Sequence, residues 1–375
     1  MKILLIALAL LLVAATALPI LRFDQWWIRV FDFPRGQIAV AGVLLVAVYL
    51  YFWDPHRVHE SLVLGLLVLA VIFQLVKIVP YTVLMPKQVL DAESGSDDDR
   101  LSLLVANVLM ENRESAAFLD VVREYDPDVV VTLETDDWWE QALSPLEGTY
   151  RHTLKYPLGN TYGMLVYSRL EMVDPKVRFI LDDTIPSMQM QLVLPSGARV
   201  HAHFVHPDPP NPRHATETTK RDAELLIVGR EVDRRDRPTL IAGDLNDVAW
   251  SYTTTLFQKA SGLLDPRIGR GLYNTYNAKN VFMRWPLDHV FHSEHFKLVR
   301  MERGPAWGSD HFPIFVELVL ESDAEARQDE PQTSRAEAEE VDEAIEDGRQ
   351  QSDQRQGMNA YPSLPGFRAQ EAHLA

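Results

Sequence analysis

A chain of 375 residues without a single cysteine holds no disulfide, no thiolate zinc site and no Cys nucleophile. Its net charge of −17 is unevenly spread: residues 321–375 carry 14 Asp/Glu against 5 Lys/Arg, and residues 100–320 carry 30 against 24. Neither part has the cationic surplus that non-specific duplex binding draws on when Lys and Arg displace counterions from phosphates.

Residues 1–87 contain three apolar runs, at about 3–21, 37–53 and 61–79, each close to the length that spans a bilayer core. Trp26, Trp27, Tyr49, Tyr51, Trp53 and Tyr81 lie around their ends, where amphipathic rings favour the headgroup layer. Three transmembrane helices are expected, with the lipid bilayer as partner, as in a multi-pass protein of a cell membrane such as the bacterial inner membrane. Lys2 followed by Ala15-Thr16-Ala17 also fits a cleaved signal. Arg22, Arg29 and Arg35 in the first connection favour a cytoplasmic position for the globular part of the chain, whereas a cleaved signal or an N-in start puts it outside, so the side stays open.

Residues 88–100, with Ser94-Gly95-Ser96 and three aspartates, read as a linker. The folded domain expected over 101–320 opens with a buried strand at Leu101–Val108. Asn112 is then placed to cap a helix carrying Ala116, Leu119, Val122 and Tyr125, and a second buried strand comes at Val129–Leu133. Strand-like runs recur at Gly163–Tyr167, Val200–Val205, Thr239–Ala242, His289–His292 and Ile314–Leu320, with a helix over Ala215–Val232. Many strands with few interspersed helices predict two packed sheets flanked by helices. Beyond Glu321 large apolar residues are too sparse for a core, so 321–375 is expected to be a disordered acidic tail.

Polar residues recur where these apolar strands end. Asn107 and Glu134 close the first two strands and can present hard oxygen ligands side by side to Mg²⁺ or Mn²⁺. His206 ends the strand before Pro207-Asp208-Pro209-Pro210, a rigid exit. In Gly243-Asp244-Leu245-Asn246 the two-residue spacing lets Asp244 and Asn246 face one way. Asp288 opens the run Leu287-Asp288-His289-Val290-Phe291, and Ser309-Asp310-His311-Phe312-Pro313-Ile314 leads into the last strand. If those strands are close, Asp288 can hold one nitrogen of His311 while the other addresses a phosphate, leaving Asp310 as a ligand or water-orienting group.

Taken in order across residues 100–320, this set resembles the endonuclease/exonuclease/phosphatase family, as a membrane-anchored bacterial-type member. The resemblance implies an α/β fold, a four-layer sandwich of two mixed β-sheets flanked by helices. It also implies a divalent metal, Mg²⁺ or Mn²⁺, at Asn107 and Glu134 with Asp310 nearby. Water activation would fall to Asp244 and Asn246, and transition-state contacts to His206 and to His311 oriented by Asp288. The abasic-site nuclease branch usually places Asp two residues after the Asn; Leu109 stands there in this chain, closer to the lipid-phosphodiesterase and phosphatase branches.

The expected activity is therefore hydrolysis of a phosphoester, with a phospholipid headgroup favoured because the anchor confines the site near the bilayer. A metal-dependent nuclease is the alternative, although the charge balance does not favour nucleic acid as a partner. A membrane-bound scaffold that kept the fold without activity is the second alternative.

Overall fold

The computed structural model describes residues 1–93, 95–209, 217–233 and 237–360. The first residues of the helix expected over Ala215–Val232, and residues 361–375 of the tail, lie outside the described residues.

The N-terminal region forms α1 (Lys2–Ala17), a short α2 (Trp26–Arg29), α3 (Arg35–Phe52) and α4 (Val58–Ile78). With their terminal turns, Lys2–Leu21, Arg35–Phe52 and Val58–Tyr81 are 20, 18 and 24 residues long and apolar enough to cross a membrane. Ala9, Leu67 and Ala70 are buried between the helices, yet Leu4, Leu11, Leu44, Leu62 and Leu69 point outward and exposed. A bundle as apolar outside as inside suits a hydrocarbon surrounding rather than water. Several of its buried polar residues are linked: Gln74 Nε2 donates to Thr16 Oγ1 at 3.0 Å, Arg35 donates to Gln74 Oε1 at 3.0 Å, and Arg35 also pairs with Asp32. At the opposite end Lys2 pairs with Glu60 at 3.0 Å.

Two sheets make up the rest of the domain. Strands β1 (Arg100–Asn107), β2 (Val129–Leu133), β3 (His152–Tyr156) and β4 (Met164–Ser168) join the later β10 (Phe296–Arg303) and β11 (Ile314–Leu320) in the order β10-β11-β1-β2-β4-β3. The second sheet runs β5-β6-β7-β8-β9, from β5 (Glu171–Phe179), β6 (Pro186–Val193), β7 (Arg199–Phe204), β8 (Thr239–Asp244) and β9 (Asp288–His292). Both are mixed: β1 pairs parallel with β2 and β7 parallel with β8, and the remaining pairs are antiparallel.

Alternation along each strand makes the layers. Leu101, Leu103 and Val105 of β1 enter the core between the sheets with Leu240 and Ala242 of β8. Leu104 and Ala106 face outward against Phe118 and Val122 of α5 (Ser115–Tyr125), with Trp139 of α6 (Asp137–Ala142) beside them. On the far side Ile241 packs under Leu225 and Leu226 of α7 (Thr219–Asp233) and Phe257 of α8 (Tyr252–Ser261). Burial on both faces explains why these strands read as continuous apolar runs. Truncating one such residue, Leu103→Ala for example, would cost about 2–5 kcal/mol.

Three local expectations are corrected. Asn112 does not cap α5: Glu114 holds that position, and Asn112 Oδ1 instead accepts from the Glu114 N–H at 3.2 Å, using its side chain in the preceding turn. The 88–100 segment is no loose tether, because Val89 is fully buried and Ala92 N donates to Leu298 O at 2.8 Å. The described part of the tail is largely helical: after α9 (Ala324–Arg327), α10 (Arg335–Ala360) lies along α7. Val341 and Ile345 give α10 one narrow apolar stripe, and Gly348 lets the helices close up, since a Cβ there would sit 2.2 Å from that of Ala223. A sparse stripe is invisible as a core until the partner face is known.

The two-sheet domain is also seated on the helical bundle. Trp250 Nε1 donates to Asp32 O at 2.7 Å, Tyr81 OH to Ala249 O at 2.6 Å and Thr219 Oγ1 to Asp24 at 2.8 Å, while Arg29 pairs with Asp222 at 3.5 Å.

Candidate active site

The chain ends of β1, β2, β7 and β8 point to one edge, and the polar residues following those apolar runs meet there. Asn107 is the last residue of β1 and Glu134 the first after β2; parallel pairing of the two strands sets them side by side. Asn107 Nδ2 donates to Glu134 Oε1 at 2.7 Å and to Asp244 Oδ2 at 3.1 Å, so it bridges the two sheets. Gly243 is required for this approach, because a Cβ at its position would lie 1.9 Å from the Val205 carbonyl oxygen.

Asp244 Oδ2 is the junction of the site. Besides Asn107 it faces His311 Nε2 at 3.6 Å and His206 Nε2 at 4.0 Å, while Oδ1 accepts from the Asn246 N–H at 2.9 Å. Burial pushes the Asp244 carboxyl up to about 7, with His311 pulling the other way. Burial lowers His206 to about 4, so it is a neutral imidazole at neutral pH. For His311 burial disfavours the charge, but Asp288 and Asp244 outweigh it and hold the ring up at about 10. Its Nδ1 donates to Asp288 Oδ2 at 2.8 Å, and Asp288 is held in turn by its own N–H donating to Thr275 Oγ1 at 3.1 Å.

Asn246 sits slightly apart from its expected role. Its Nδ2 donates to the Pro207 carbonyl at 2.9 Å, which locks the turn carrying His206, and its own carbonyl accepts from Arg221 at 2.8 Å. Leu109, Glu134 and Asn246 all take left-handed backbone conformations, with φ of 57°, 59° and 52°. Such strain in non-glycine residues clusters where a fold over-determines a functional geometry.

Two groupings offer donors to a cation. The donor atoms of Asp244, Asp288 and His311 lie within 4.8 Å of one another. That space is already neutralised, however, by an imidazolium held between two carboxylates, and a protonated ring nitrogen has no lone pair for a metal. Asn107, Glu134 and Asp310 form the second grouping. Burial raises the Glu134 carboxyl, and the neighbouring negative charge of Asp310 raises it further, although Asn107 and His311 act against this. The carboxylates of Glu134 and Asp310 suit a hard divalent ion, whereas Asn107 turns its amide nitrogen to Glu134 and its Oδ1 accepts from the Leu109 N–H at 3.0 Å, so its oxygen becomes a ligand once the amide turns over.

Sequence reasoning missed several residues at the site. Tyr276 lies against His311 with ring centroids 4.9 Å apart, and Tyr162 packs on His206 at 5.6 Å while donating its hydroxyl to Asp208 at 2.6 Å. Ser309 Oγ donates to the Asn107 carbonyl at 2.8 Å and ties the last loop to β1. The Ser309 position was visible within its motif; Tyr276 and Tyr162 stand in loops with no periodicity to mark them.

The sequence profile of the Endonuclease/Exonuclease/phosphatase family matches residues 104–311, from the middle of β1 to His311. The chain belongs to this family. Members of the endonuclease/exonuclease/phosphatase family are divalent-metal-dependent phosphoester hydrolases. Among solved structures, the chain is similar to an endonuclease/exonuclease/phosphatase from Beutenbergia cavernae, at 18% identity and TM-score 0.49, over 59% of this chain and 72% of that one. It is also similar to the human nocturnin catalytic domain with bound sulfate, at 14% identity and TM-score 0.48, over 61% and 97% of the two chains. A Bacteroides thetaiotaomicron mannosyl-6-phosphatase is similar at 19% identity and TM-score 0.45, over 59% and 100%. None of the curated proteins compared with it matches the chain.

Proposed function

We propose that this chain is a membrane-anchored, divalent-metal-dependent phosphoester hydrolase acting on a membrane-associated phosphoester. The observation that carries the reading is the meeting of Asn107, His206 and His311 around one buried carboxylate oxygen of Asp244, with Glu134 beside them. A carboxyl raised to about 7 is suited to take a proton from water near neutral pH. An imidazolium stabilised by Asp288 is suited to face the negative charge that grows on a phosphoryl oxygen.

In the proposed reaction a water oxygen attacks phosphorus, its proton passes to Asp244, and the P–O bond to the leaving group breaks. His311 donates a hydrogen bond to a non-bridging oxygen throughout, His206 contributes a second contact, and the leaving oxygen takes its proton from solvent. Asn246 braces His206 through Pro207 and helps fix the water through the Asp244 turn. Asn107, Glu134 and Asp310 would hold Mg²⁺ or Mn²⁺, which supplies Lewis-acid stabilisation of the phosphoryl charge.

Support for the membrane placement comes from the three membrane-length helices and from their contacts with the loop after Asp244. Lys2 and Arg57, both near Glu60, mark the end of the bundle away from the site, whereas Arg22, Arg29, Arg35 and Lys77 gather at the near end. By the positive-inside rule that asymmetry favours a catalytic domain on the cytoplasmic face of the cell membrane.

The test compares the full chain, in detergent and in vesicles, on phospholipids, on bis-p-nitrophenyl phosphate and on single- and double-stranded DNA. Metal-dependent cleavage of lipid and of the small diester, with DNA left intact, is expected. Vigorous DNA nicking with inert lipid would replace the lipid reading by the nuclease one.

A further inference from the structure

Beside the site the domain exposes an apolar loop. Val281, Phe282 and Met283 are 65%, 82% and 49% exposed, against 37%, 36% and 41% for Trp138, Tyr156 and Phe179, the other large apolar side chains left exposed among the described residues of the two-sheet domain. The loop does not face open water alone, because the Phe282 carbonyl accepts from Gln37 Nε2 at 2.9 Å, near the start of α3. Between them lies a groove of about 450 Å³, lined chiefly by Trp26, Val30, Phe33, Phe282, Met283 and Trp285. Its size falls within the roughly 300–1,000 Å³ usual for ligand sites.

The groove leads towards the chemistry. Phe33 meets the edge of Trp285 at 5.6 Å, Trp285 stacks on Tyr276 at 6.2 Å, and Tyr276 contacts His311 at 4.9 Å. The base of the loop is stitched to the same segment, since Ala278 N donates to the Asp310 carbonyl at 2.7 Å. Next to the groove Arg284 and Arg303 both lie over the Phe312 ring, at 4.9 and 4.2 Å, and no ion pair joins either to a carboxylate among the described residues. Each donates to a backbone carbonyl, Arg284 Nε to Asn277 O at 3.3 Å and Arg303 Nη1 to Asn274 O at 3.1 Å, so the two positive charges stand together with no carboxylate paired to either among the described residues, which favours an anion there.

We propose that this groove receives a hydrocarbon chain of an anionic membrane lipid, whose phosphoester is thereby presented to the site with Arg284 and Arg303 facing its headgroup. One wall of the groove is the segment that leads into a membrane-length helix, and this continuity favours lipid as its occupant. The assignment rests on the membrane-hydrolase reading above and specifies its substrate class.

The absence of native cysteine allows a direct test in the full chain. A Met283→Cys protein carrying a fluorescent nitrobenzoxadiazole probe is placed in phosphatidylglycerol or phosphatidylcholine vesicles containing doxyl-labelled chains. Quenching by the labelled chains, stronger in phosphatidylglycerol and relieved by Val30→Trp, which fills the groove, is expected. Arg284→Gln should remove the difference between the two lipids. A probe quenched by aqueous iodide and not by doxyl chains, as for a groove covered by protein or water, overturns the proposal, and so does equal quenching in both lipids.

Turnover separates this proposal from the reading beneath it. Val30→Trp should lower phosphatidylglycerol hydrolysis about tenfold or more while sparing bis-p-nitrophenyl phosphate; a parallel loss or no loss on both substrates overturns the groove assignment. A wild-type chain that hydrolyses neither substrate but shows the lipid quenching and its relief by Val30→Trp retains the groove and loses the hydrolase.

Discussion

The indole N–H of Trp250 donates to the Asp32 carbonyl at 2.7 Å, joining the loop after Asp244 to the segment leading into α3. Nearby, Arg29 pairs with Asp222, whose neighbour Arg221 bonds both Asp222 at 2.6 Å and the Asn246 carbonyl. The site is thus built on the helical bundle rather than suspended from it. Replacing Trp250 with Phe removes the hydrogen bond and keeps a smaller aromatic ring, so thermal unfolding in detergent should report a loss of at least about 0.5–1.5 kcal/mol. Trp250→Ala should cost about 3–5 kcal/mol, and equal stability of all three proteins would mean that this contact holds nothing.

Removing the His311 imidazole should be severe because the ring carries the positive charge beside Asp244 that the proposed reaction sets against the phosphoryl oxygens. His311→Asn is expected to lower kcat on bis-p-nitrophenyl phosphate by roughly 10²–10³ with little change in KM. Asp288→Asn leaves the ring in place but weakens its hold on the proton, and its kcat should fall between those of wild type and His311→Asn. Circular dichroism of each variant checks that the fold persists.

A pH effect on stability arises from His292. Burial lowers its ring to about 4, against an ordinary value of 6.5. Above about 6.5 both folded and unfolded chains carry it neutral, and its contribution is fully present. As pH falls from 6.5 towards 4 the unfolded chain binds a proton that the folded chain refuses, so stability declines by on the order of 2–3 kcal/mol. In His292→Gln the fall in Tm across that window should be visibly shallower than in wild type.

The close contact of α10 with α7 predicts that Gly348→Leu is not tolerated in place, because even a Cβ would overlap Ala223. Overpacking of this kind costs about 1–3 kcal/mol, which should detach the tail helix before it unfolds the sandwich. Limited proteolysis should then cut between Arg335 and Arg349 in the variant much faster than in wild type; unchanged protection would contradict the packing described.

How much of this was legible beforehand depended on whether the signal was local. Asn107, Glu134, Asp244 and Asp288 each adjoin a strand buried on both faces, and a polar residue at the edge of such a run is conspicuous. The strand β5 was not legible, because it is an exposed edge with Asp174 at positive φ and Pro175 beside a register shift, so no alternation survives. Tyr276, Trp285 and the Phe282 loop gain meaning only from α3, far away in the chain. The α10 stripe needed the α7 face to be recognisable as packing.

The most direct test of the central claim is Mg²⁺ titration of the full chain in nanodiscs, measuring both metal binding and hydrolysis of bis-p-nitrophenyl phosphate, beside a Glu134→Ala protein of equal helix and sheet content. Saturable activation in the wild type, abolished by a chelator and shifted at least about tenfold to higher metal in Glu134→Ala, is the predicted result. Full activity in the chelator, or identical titrations for the two proteins, would contradict a metal-dependent hydrolase built on Asn107 and Glu134.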